Sequence, residues 1–347
     1  MTCGQYKTSY REDMKIFQTA FVKFWLVVLV IALLLFPFLA GRYLLYTANL
    51  CGIAVIGALG LNILSGFTGQ ISLGHAAFIS IGAYASTLLT LKLGIPFWAS
   101  LPLGGLVAAL SGLVIAIPCL RLRGLYLAIA TFAFHFIVEY VIVHWNKLTN
   151  GTSGLTVPPP TVFGMAVDSE RKIYFLILFI VIASLLFAKN LFRTEAGRAF
   201  IAIRDNDLSA EVIGIDITTY KIRSFMLSSF YAGIAGGLYA ITLSFIGPEH
   251  FTFLMTIEYL AMVLVGGVGT IAGTVFGAVF MTLLPEGIRM LKDAFSQDYP
   301  ILVTRMADLQ ASCYGLVIIL FLIFEPTGLF GVWIRVRTYW KAWPYRY

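Results

Sequence analysis

At 347 residues, with 59% hydrophobic and only 12% charged residues and a mean hydropathy of +0.89, the chain carries more apolar surface than one water-soluble core can hide. Lipid must take up the excess. The net charge of +7 comes from 24 basic residues scattered in small groups between apolar runs. There is no basic stripe interleaved with stacking aromatics, so nucleic acid is not the expected partner and the charge is read as orienting the chain in a bilayer. Cys3, Cys51, Cys119 and Cys313 lie far apart without C-x-x-C spacing and read as reduced, space-filling thiols. Neither a metal site nor a disulfide framework nor a cofactor is expected.

In chain order, residues 1 to 23 form a short N-terminal segment with Lys7, Arg11, Lys15 and Lys23, and no soluble domain is expected ahead of the first span. The apolar run at 24 to 41 is about as long as a spanning helix, and Arg42 closes it without an A-x-A site, which argues for an uncleaved span over a signal peptide. Further runs of about 20 mostly apolar residues fall near 43 to 63, 71 to 91, 97 to 118, 124 to 145, 172 to 189, 223 to 246 and 303 to 325. The stretch from 253 to 285 is too long for one span, and glycines at 266, 267, 269 and 273 interrupt it, so two short spans or a broken, re-entrant pair are expected there. The fold class is therefore all-α: a polytopic transmembrane helical bundle of about nine to ten segments. It comprises a membrane domain over 24 to 330, with an outer loop at 146 to 171 and a charged loop at 190 to 222, and a basic tail at 331 to 347.

With the N-terminus inside, the pieces at 1 to 23, 119 to 123, 189 to 223 and beyond 331 hold 16 of the 24 basic residues. The positive-inside rule then places both termini in the cytoplasm. The loop at 146 to 171 contains Asn150-Gly151, Gly154 and Pro158-Pro159-Pro160, which favour turns and extended backbone; it either caps the outer face or simply connects two spans.

Between Gly66 and Gly82 small residues alternate with Gln70, Ser72 and His75, which bring hydrogen-bonding groups into the bilayer. The rhythm of Gly266, Gly269, Gly273 and Gly277 recurs 200 residues later, aligning Gly66 with Gly266 and Gly69 with Gly269. Interrupted segments in both halves of an internal repeat are a transporter feature, although such spacing also serves plain helix packing. Glu258 and Glu139 lie within or beside apolar spans, where a carboxylate costs at least about 2.5 kcal/mol. His135 lies one helical turn before Glu139, close enough in spacing to pair with it, and a structural polar contact is the plainer reading than a proton relay.

The loop at 190 to 222 is the most informative feature. Counting Lys189 and Arg223, it holds six basic and five acidic residues in a chain otherwise poor in both. Its centre, Arg204 to Ile215, reads as a short helix capped by Asn206 or Asp207 and stopped at Gly214, suited to docking into a partner's groove.

Four stretches together resemble a known family: Leu61-Asn62-Ile63-Leu64-Ser65-Gly66-Phe67-Thr68-Gly69-Gln70-Ile71-Ser72-Leu73-Gly74-His75-Ala76-Ala77-Phe78; Ala202-Ile203-Arg204-Asp205-Asn206-Asp207 through Gly214 to Tyr220-Lys221; Val265-Gly266-Gly267-Val268-Gly269-Thr270; and Pro326-Thr327-Gly328-Leu329-Phe330-Gly331. They are similar to the M-type permeases of bacterial ATP-binding-cassette importers for branched-chain amino acids, over roughly residues 43 to 331. Glu325 departs from the basic residue expected before the final Pro-Thr-Gly. The resemblance implies a transport subunit that is not itself an enzyme. It would reside in the bacterial inner membrane, with a sister permease, two cytoplasmic ATPases and an external solute-binding protein as partners. The absence of a G-x-x-x-x-G-K-[ST] phosphate loop fits that division. Carried over, Arg204, Asp205, Asn206, Asp207, Glu211 and Gly214 would form the ATPase-coupling helix. Asn62, Gln70, Ser72, His75 and Glu258 would be candidates for the translocation pathway, with Gly66, Gly69, Gly74, Gly266, Gly267, Gly269 and Gly273 as helix-break glycines. Urea, short amides or other amino acids are alternative cargoes. An ion-coupled secondary transporter would also explain broken helices and intramembrane carboxylates, but not the defined loop helix. A membrane-embedded enzyme would require clustered side chains, and His75, His135, Glu139 and Glu258 are dispersed along the chain.

Overall fold

The computed structural model describes residues 20–119, 122, 124–162, 165–166, 169–295, 306–325 and 327–342. Cys3, Lys7, Arg11, Lys15, Arg121, Arg123, Arg305, Pro326 and Arg346 lie outside the described residues. Eight segments are long and apolar enough to cross a membrane, and the apolar parts of two further helices, at 23–39 and 312–321, are shorter. The chain is thus a multi-pass helical membrane protein, as its apolar runs predict.

The helices run as α1 (Ala20–Leu39), α2 (Arg42–Leu61), α3 (His75–Leu93), α4 (Phe97–Cys119), α5 (Leu125–His144), the single turn α6 (Asn146–Thr149), α7 (Glu170–Leu191), α8 (Glu195–Asp205), α9 (Asp207–Val212), α10 (Ile217–Leu243), α11 (Phe253–Gly266), α12 (Ile271–Phe295), α13 (Met306–Phe324) and α14 (Gly328–Ala342). The end of α2 passes into a π-helical turn, Asn62–Phe67, before the chain breaks. The charged loop holds two helices, α8 and α9, where the sequence pattern predicts one. The extra helix α8 is amphipathic, with Gly197, Ala199, Phe200 and Ile203 buried and its charges outward.

The long helix α10 is the centre of the bundle, packing on α2, α3 and α4. Glycines decide how close they come. A Cβ on Gly82 of α3 would overlap Gly233 of α10, one on Gly236 would overlap the Ile79 carbonyl, and one on Gly104 of α4 would sit 3.0 Å from the Gly82 oxygen. Backbone-to-backbone approach of this kind is how helices gain van der Waals energy in lipid, where no hydrophobic force drives them together. By contrast α1 touches mainly α7, through the Tyr174 hydroxyl donating to the Leu33 carbonyl at 3.0 Å and rings at Phe36 and Phe38. Most of its large apolar side chains are exposed to the surroundings, as for a helix facing lipid.

On the face opposite the charged loop, the described residues between 146 and 171 fold as a cap. Its strand β1 (Leu155–Thr156) pairs antiparallel with β4 (Phe245–Ile246), which follows α10, while β2 (Thr161–Val162) and β3 (Met165–Ala166) form a small hairpin. The Val157 amide donates to the Ser244 carbonyl at 3.0 Å, so the cap is tied to the far end of the central helix. Beyond the last apolar helix, residues 328–342 are helical, and Arg335 closes a two-pronged ion pair on Glu325 at 2.6 and 2.9 Å. That supplies the partner for the unexpected acid before the Thr-Gly turn.

Gly82→Leu would force α3 and α10 apart at a backbone contact, where no side-chain rotation gives relief. It should cost about 3 kcal/mol or more. Gly287→Ala on α12, which meets nothing within 4 Å, should be neutral or slightly stabilising. Thermal aggregation midpoints of the two variants in detergent check this pair.

Candidate functional site

Two interruptions of helix meet at the charged-loop face. The first runs from the π turn at 62–67 to the start of α3 at His75, and the second joins α11 to α12 across 267–270. Both contain a glycine with left-handed backbone, Gly69 at φ 71° and Gly269 at φ 73°, at the aligned positions of the sequence repeat. Asn62 binds the two together. Its amide nitrogen donates to the Thr270 carbonyl at 3.1 Å and to Thr274 Oγ1 at 2.7 Å, and its oxygen accepts from the Gly269 N–H at 2.9 Å. Gly66 has no side chain because there is no room for one: a Cβ there would lie 2.6 Å from the Gly269 nitrogen.

The backbone groups freed by the first break are satisfied locally, as burial in an apolar bundle demands. The Leu73 N–H donates to Thr131 Oγ1 at 2.9 Å, the Ala76 N–H to Thr256 Oγ1 at 3.0 Å, and the Gly74 N–H, more weakly, to Ser72 Oγ at 3.4 Å. His75 is fully buried, donates through Nε2 to the Gly57 carbonyl at 2.9 Å and lies edge-on to Tyr259. These are the contacts of groups that hold a break in place.

The charged loop reaches the breaks by three routes. Gln70 Nε2 donates to Ser224 Oγ at 2.8 Å, Ser224 Oγ donates to the Lys221 carbonyl at 2.8 Å, and Lys221 Nζ pairs with Asp207 at the start of α9 at 2.8 Å. Arg204, at the end of α8, lies across both left-handed glycines. A Cβ on Gly69 would sit 3.5 Å from the Arg204 Cα, and one on Gly269 would strike the guanidinium. Phe67, closing the π turn, stacks on Phe192 at the end of α7 with centroids 3.5 Å apart. The helix α9 itself is capped by Asn206, whose oxygen accepts from the Ser209 N–H at 3.0 Å, and it ends before Gly214 at φ 89°. Asp205 just before it and Glu211 within it are exposed. At the start of α10, Asp216 caps Thr219, and those hydrogen bonds hold its carboxyl below the ordinary aspartate range.

The sequence candidates therefore divide. Asn62, Gln70, Ser72, His75, Gly66, Gly69, Gly74, Gly266, Gly267, Gly269 and Gly273 lie in or beside the paired breaks, together with Arg204 and, through Lys221, Asp207. Glu258 does not join them: it is half-buried on α11, about 12 Å along the helix from Gly266, and makes no hydrogen bond or ion pair among the described residues. His135 and Glu139 share a helix face as expected, yet His135 Nε2 and the carboxylate are 3.9 Å apart, too far for a hydrogen bond, because the ring is buried while the carboxylate is half exposed. Ser224, Lys221, Thr131, Thr256, Thr274 and the Phe67–Phe192 stack were not singled out beforehand. Their only advance signal is a hydroxyl, an ammonium or a ring inside or next to an apolar run.

Asn62→Leu keeps the bulk and removes three intramembrane hydrogen bonds. At about 0.6 kcal/mol each, it should destabilise the bundle by about 2 kcal/mol. Reversible unfolding in mixed micelles measures the loss.

A family model for the permease component of branched-chain amino acid transport systems matches residues 43–324. High-affinity branched-chain amino acid transport system permease proteins LivM from Salmonella typhimurium and from Escherichia coli are each 32% identical over 331 residues, with 88% of this chain and 74% of theirs covered. A probable branched-chain amino acid transport permease protein LivM from Methanocaldococcus jannaschii is 24% identical over 315 residues, covering 80% of this chain and 90% of that one. Among solved structures, PsaBC from Streptococcus pneumoniae in complex with Fab is similar at a TM-score of 0.41 and 18% identity, over 87% of this chain and 97% of that one, too loose a likeness to bear on function. With the match running through both glycine breaks and the charged loop, the chain belongs to the family of branched-chain amino acid transport system permease components.

Proposed function

We propose that this chain is the M-type permease subunit of an ATP-driven importer that carries leucine, isoleucine and valine across the bacterial inner membrane. It works with a sister permease, two separate cytoplasmic ATPases and an external solute-binding protein. Both termini and the loop at 190 to 222 face the cytoplasm, in keeping with the distribution of basic residues. The names of the relatives support the cargo.

The observation that carries the reading is the outer surface of α9. Leu208 and Val212, one helical turn apart, are 64% and 87% exposed, and Ile213 beside them is 72% exposed. Apolar side chains held outward on a short, doubly capped helix at the tip of a charged loop suit burial in a partner's groove, and an ATPase is the partner the family provides. Arg204, Asp205, Asn206, Asp207, Glu211 and Gly214 shape that helix and its ends.

Mechanically, closure of the ATPases would pull α9. The Lys221–Asp207 ion pair and the Ser224–Gln70 hydrogen bond would carry the pull to the first break, and Arg204 would carry it to both. Interrupted helices at their meeting point can pivot where continuous helices would have to bend, so the pathway opens to alternate sides by small rigid-body shifts of α2–α3 against α11–α12.

In a complex reconstituted with ATPases and loaded solute-binding protein, ATP hydrolysis should rise and leucine should accumulate. Uptake that survives removal of every ATPase and collapses with the proton gradient would instead favour ion-coupled transport, the reading that Glu258, without an ion pair among the described residues, would suit. Leu208→Asp and Val212→Asp should each weaken ATPase attachment by about 2 kcal/mol, roughly 30-fold, read by pull-down titration in detergent. Lys221→Met should leave the complex assembled and lower uptake per ATP, because it removes the ion pair to Asp207 that ties the start of α9 to α10 while conserving side-chain length. Unchanged coupling in Lys221→Met and in Gly214→Val together would remove the loop from the mechanism.

A further inference from the structure

On the half of the bundle away from the charged loop, a small cavity is lined by Ser80 of α3, His135, Glu139 and Ile142 of α5, and Pro248 and Phe251 of the segment between α10 and α11. It admits a group about the size of one water. None of these residues belongs to the paired breaks or to the loop contacts.

The cavity's polar groups are mostly acceptors, beside the single imidazole N–H. His135 is 2% exposed, and both its ring nitrogens lack a hydrogen-bond partner among the described residues. In a bundle where even the Asn62 amide is used on both sides, that is a cost to be explained. As a neutral imidazole, either tautomer leaves one nitrogen as an acceptor. Ser80 already donates its hydroxyl proton to the Ala77 carbonyl at 2.8 Å, so its oxygen has only lone pairs to offer. Glu139 accepts only. The His135 ring lies 3.9 Å from it, and no lysine or arginine pairs with it among the described residues. Three acceptors therefore line a space with room for one small group, one of them a carboxylate within an apolar helix that lacks a cation.

Water, with two protons to give, would leave one acceptor unmet and bring no opposite charge to Glu139. A primary ammonium has three protons, a compact shape and the opposite charge. The wall formed by the Phe251 ring, itself buried against Tyr84 and Tyr239, adds an aromatic surface that favours a cation. We propose that Ser80, His135 and Glu139 form a subsite for the α-ammonium group of the transported amino acid on the outer half of the pathway. Glu139 would take the charge, and His135 and Ser80 would take the remaining N–H bonds. The assignment rests on the importer reading above and names which end of the cargo this chain holds. It also predicts that the branched side chain is left to the sister permease or to other surfaces, since the cavity has no room for it.

The test uses the full complex with both permeases and both ATPases, in vesicles of phosphatidylcholine and phosphatidylglycerol, supplied with saturating leucine-loaded solute-binding protein. Ethanolamine lipid is omitted because its headgroup is also a primary ammonium. Glu139→Gln, nearly isosteric and half exposed, should lower leucine uptake per ATP hydrolysed about tenfold, as expected for losing one charged hydrogen bond. His135→Gln should lower it as well, and Glu139→Asp, which keeps the carboxylate, should retain most of the ratio. An unchanged ratio in Glu139→Gln, a parallel fall of uptake and hydrolysis, or an effect seen only when phosphatidylethanolamine is added would each overturn the assignment. The last outcome would give the site to lipid. Failure of the unsubstituted complex to take up leucine would overturn the importer reading and this subsite with it, so the two failures are told apart by the control alone.

Discussion

A single buried amide, that of Asn62, joins two interrupted helices, and the loop-facing half of the bundle depends on it. In lipid an unpaired N–H or C=O costs several kcal/mol, so a helix can stop at depth only where something else completes its hydrogen bonds. Here each break is completed partly by the other. The Gly269 N–H and the Thr270 carbonyl belong to the second break and are met by a side chain of the first. The remaining donors of the first break go to Thr131 and Thr256 on neighbouring helices. Glycine follows as a requirement of that closeness, since a Cβ at Gly66 would occupy the space in which the two backbones meet.

This arrangement also explains why a six-residue helix such as α9 can be well defined. A helix that short has no stability of its own. It is held by its Asn206 cap, by the Lys221–Asp207 pair at its start and by the buried Ala210 beneath it. Those tethers lead toward Gln70 and, through α8, to Arg204 over both breaks, so the same contacts that order the loop helix attach it to the two helix breaks. Stability of the loop and its connection to the membrane helices are one set of interactions.

Much of this was legible in the chain. Spans are visible because lipid imposes length and apolarity on contiguous residues, and the 200-residue offset of Gly66 and Gly266 corresponds to two breaks with nearly equal backbone angles at Gly69 and Gly269. The α9 helix is visible because caps are local. What sequence hides is pairing. Nothing near Asn62 indicates that its partners are 207 to 212 residues away, and the Glu325–Arg335 pair requires the chain to turn back on itself at Gly328. The helix α8 is hidden for a different reason: its buried stripe is only Ala199, Phe200 and Ile203 with Gly197, too few apolar residues to stand out in a charged window.

The buried polar groups of the bundle differ in whether the chain itself meets them. Toward the charged loop, Asn62, Gln70, Ser72, His75, Thr131 and Thr256 all have partners within the chain. Asn49, Tyr84, Thr87, His135, Ser228, Ser229 and Thr282 have buried polar side-chain atoms that no described residue meets. A lone subunit of a lipid-soluble complex has no reason to bury such groups unpaired, because replacing each with an apolar residue of similar size would relieve the cost. Unmet hydrogen-bonding capacity of this kind suits contact with a partner chain or a polar solute, whereas the completed bonding around the paired breaks suits rigidity.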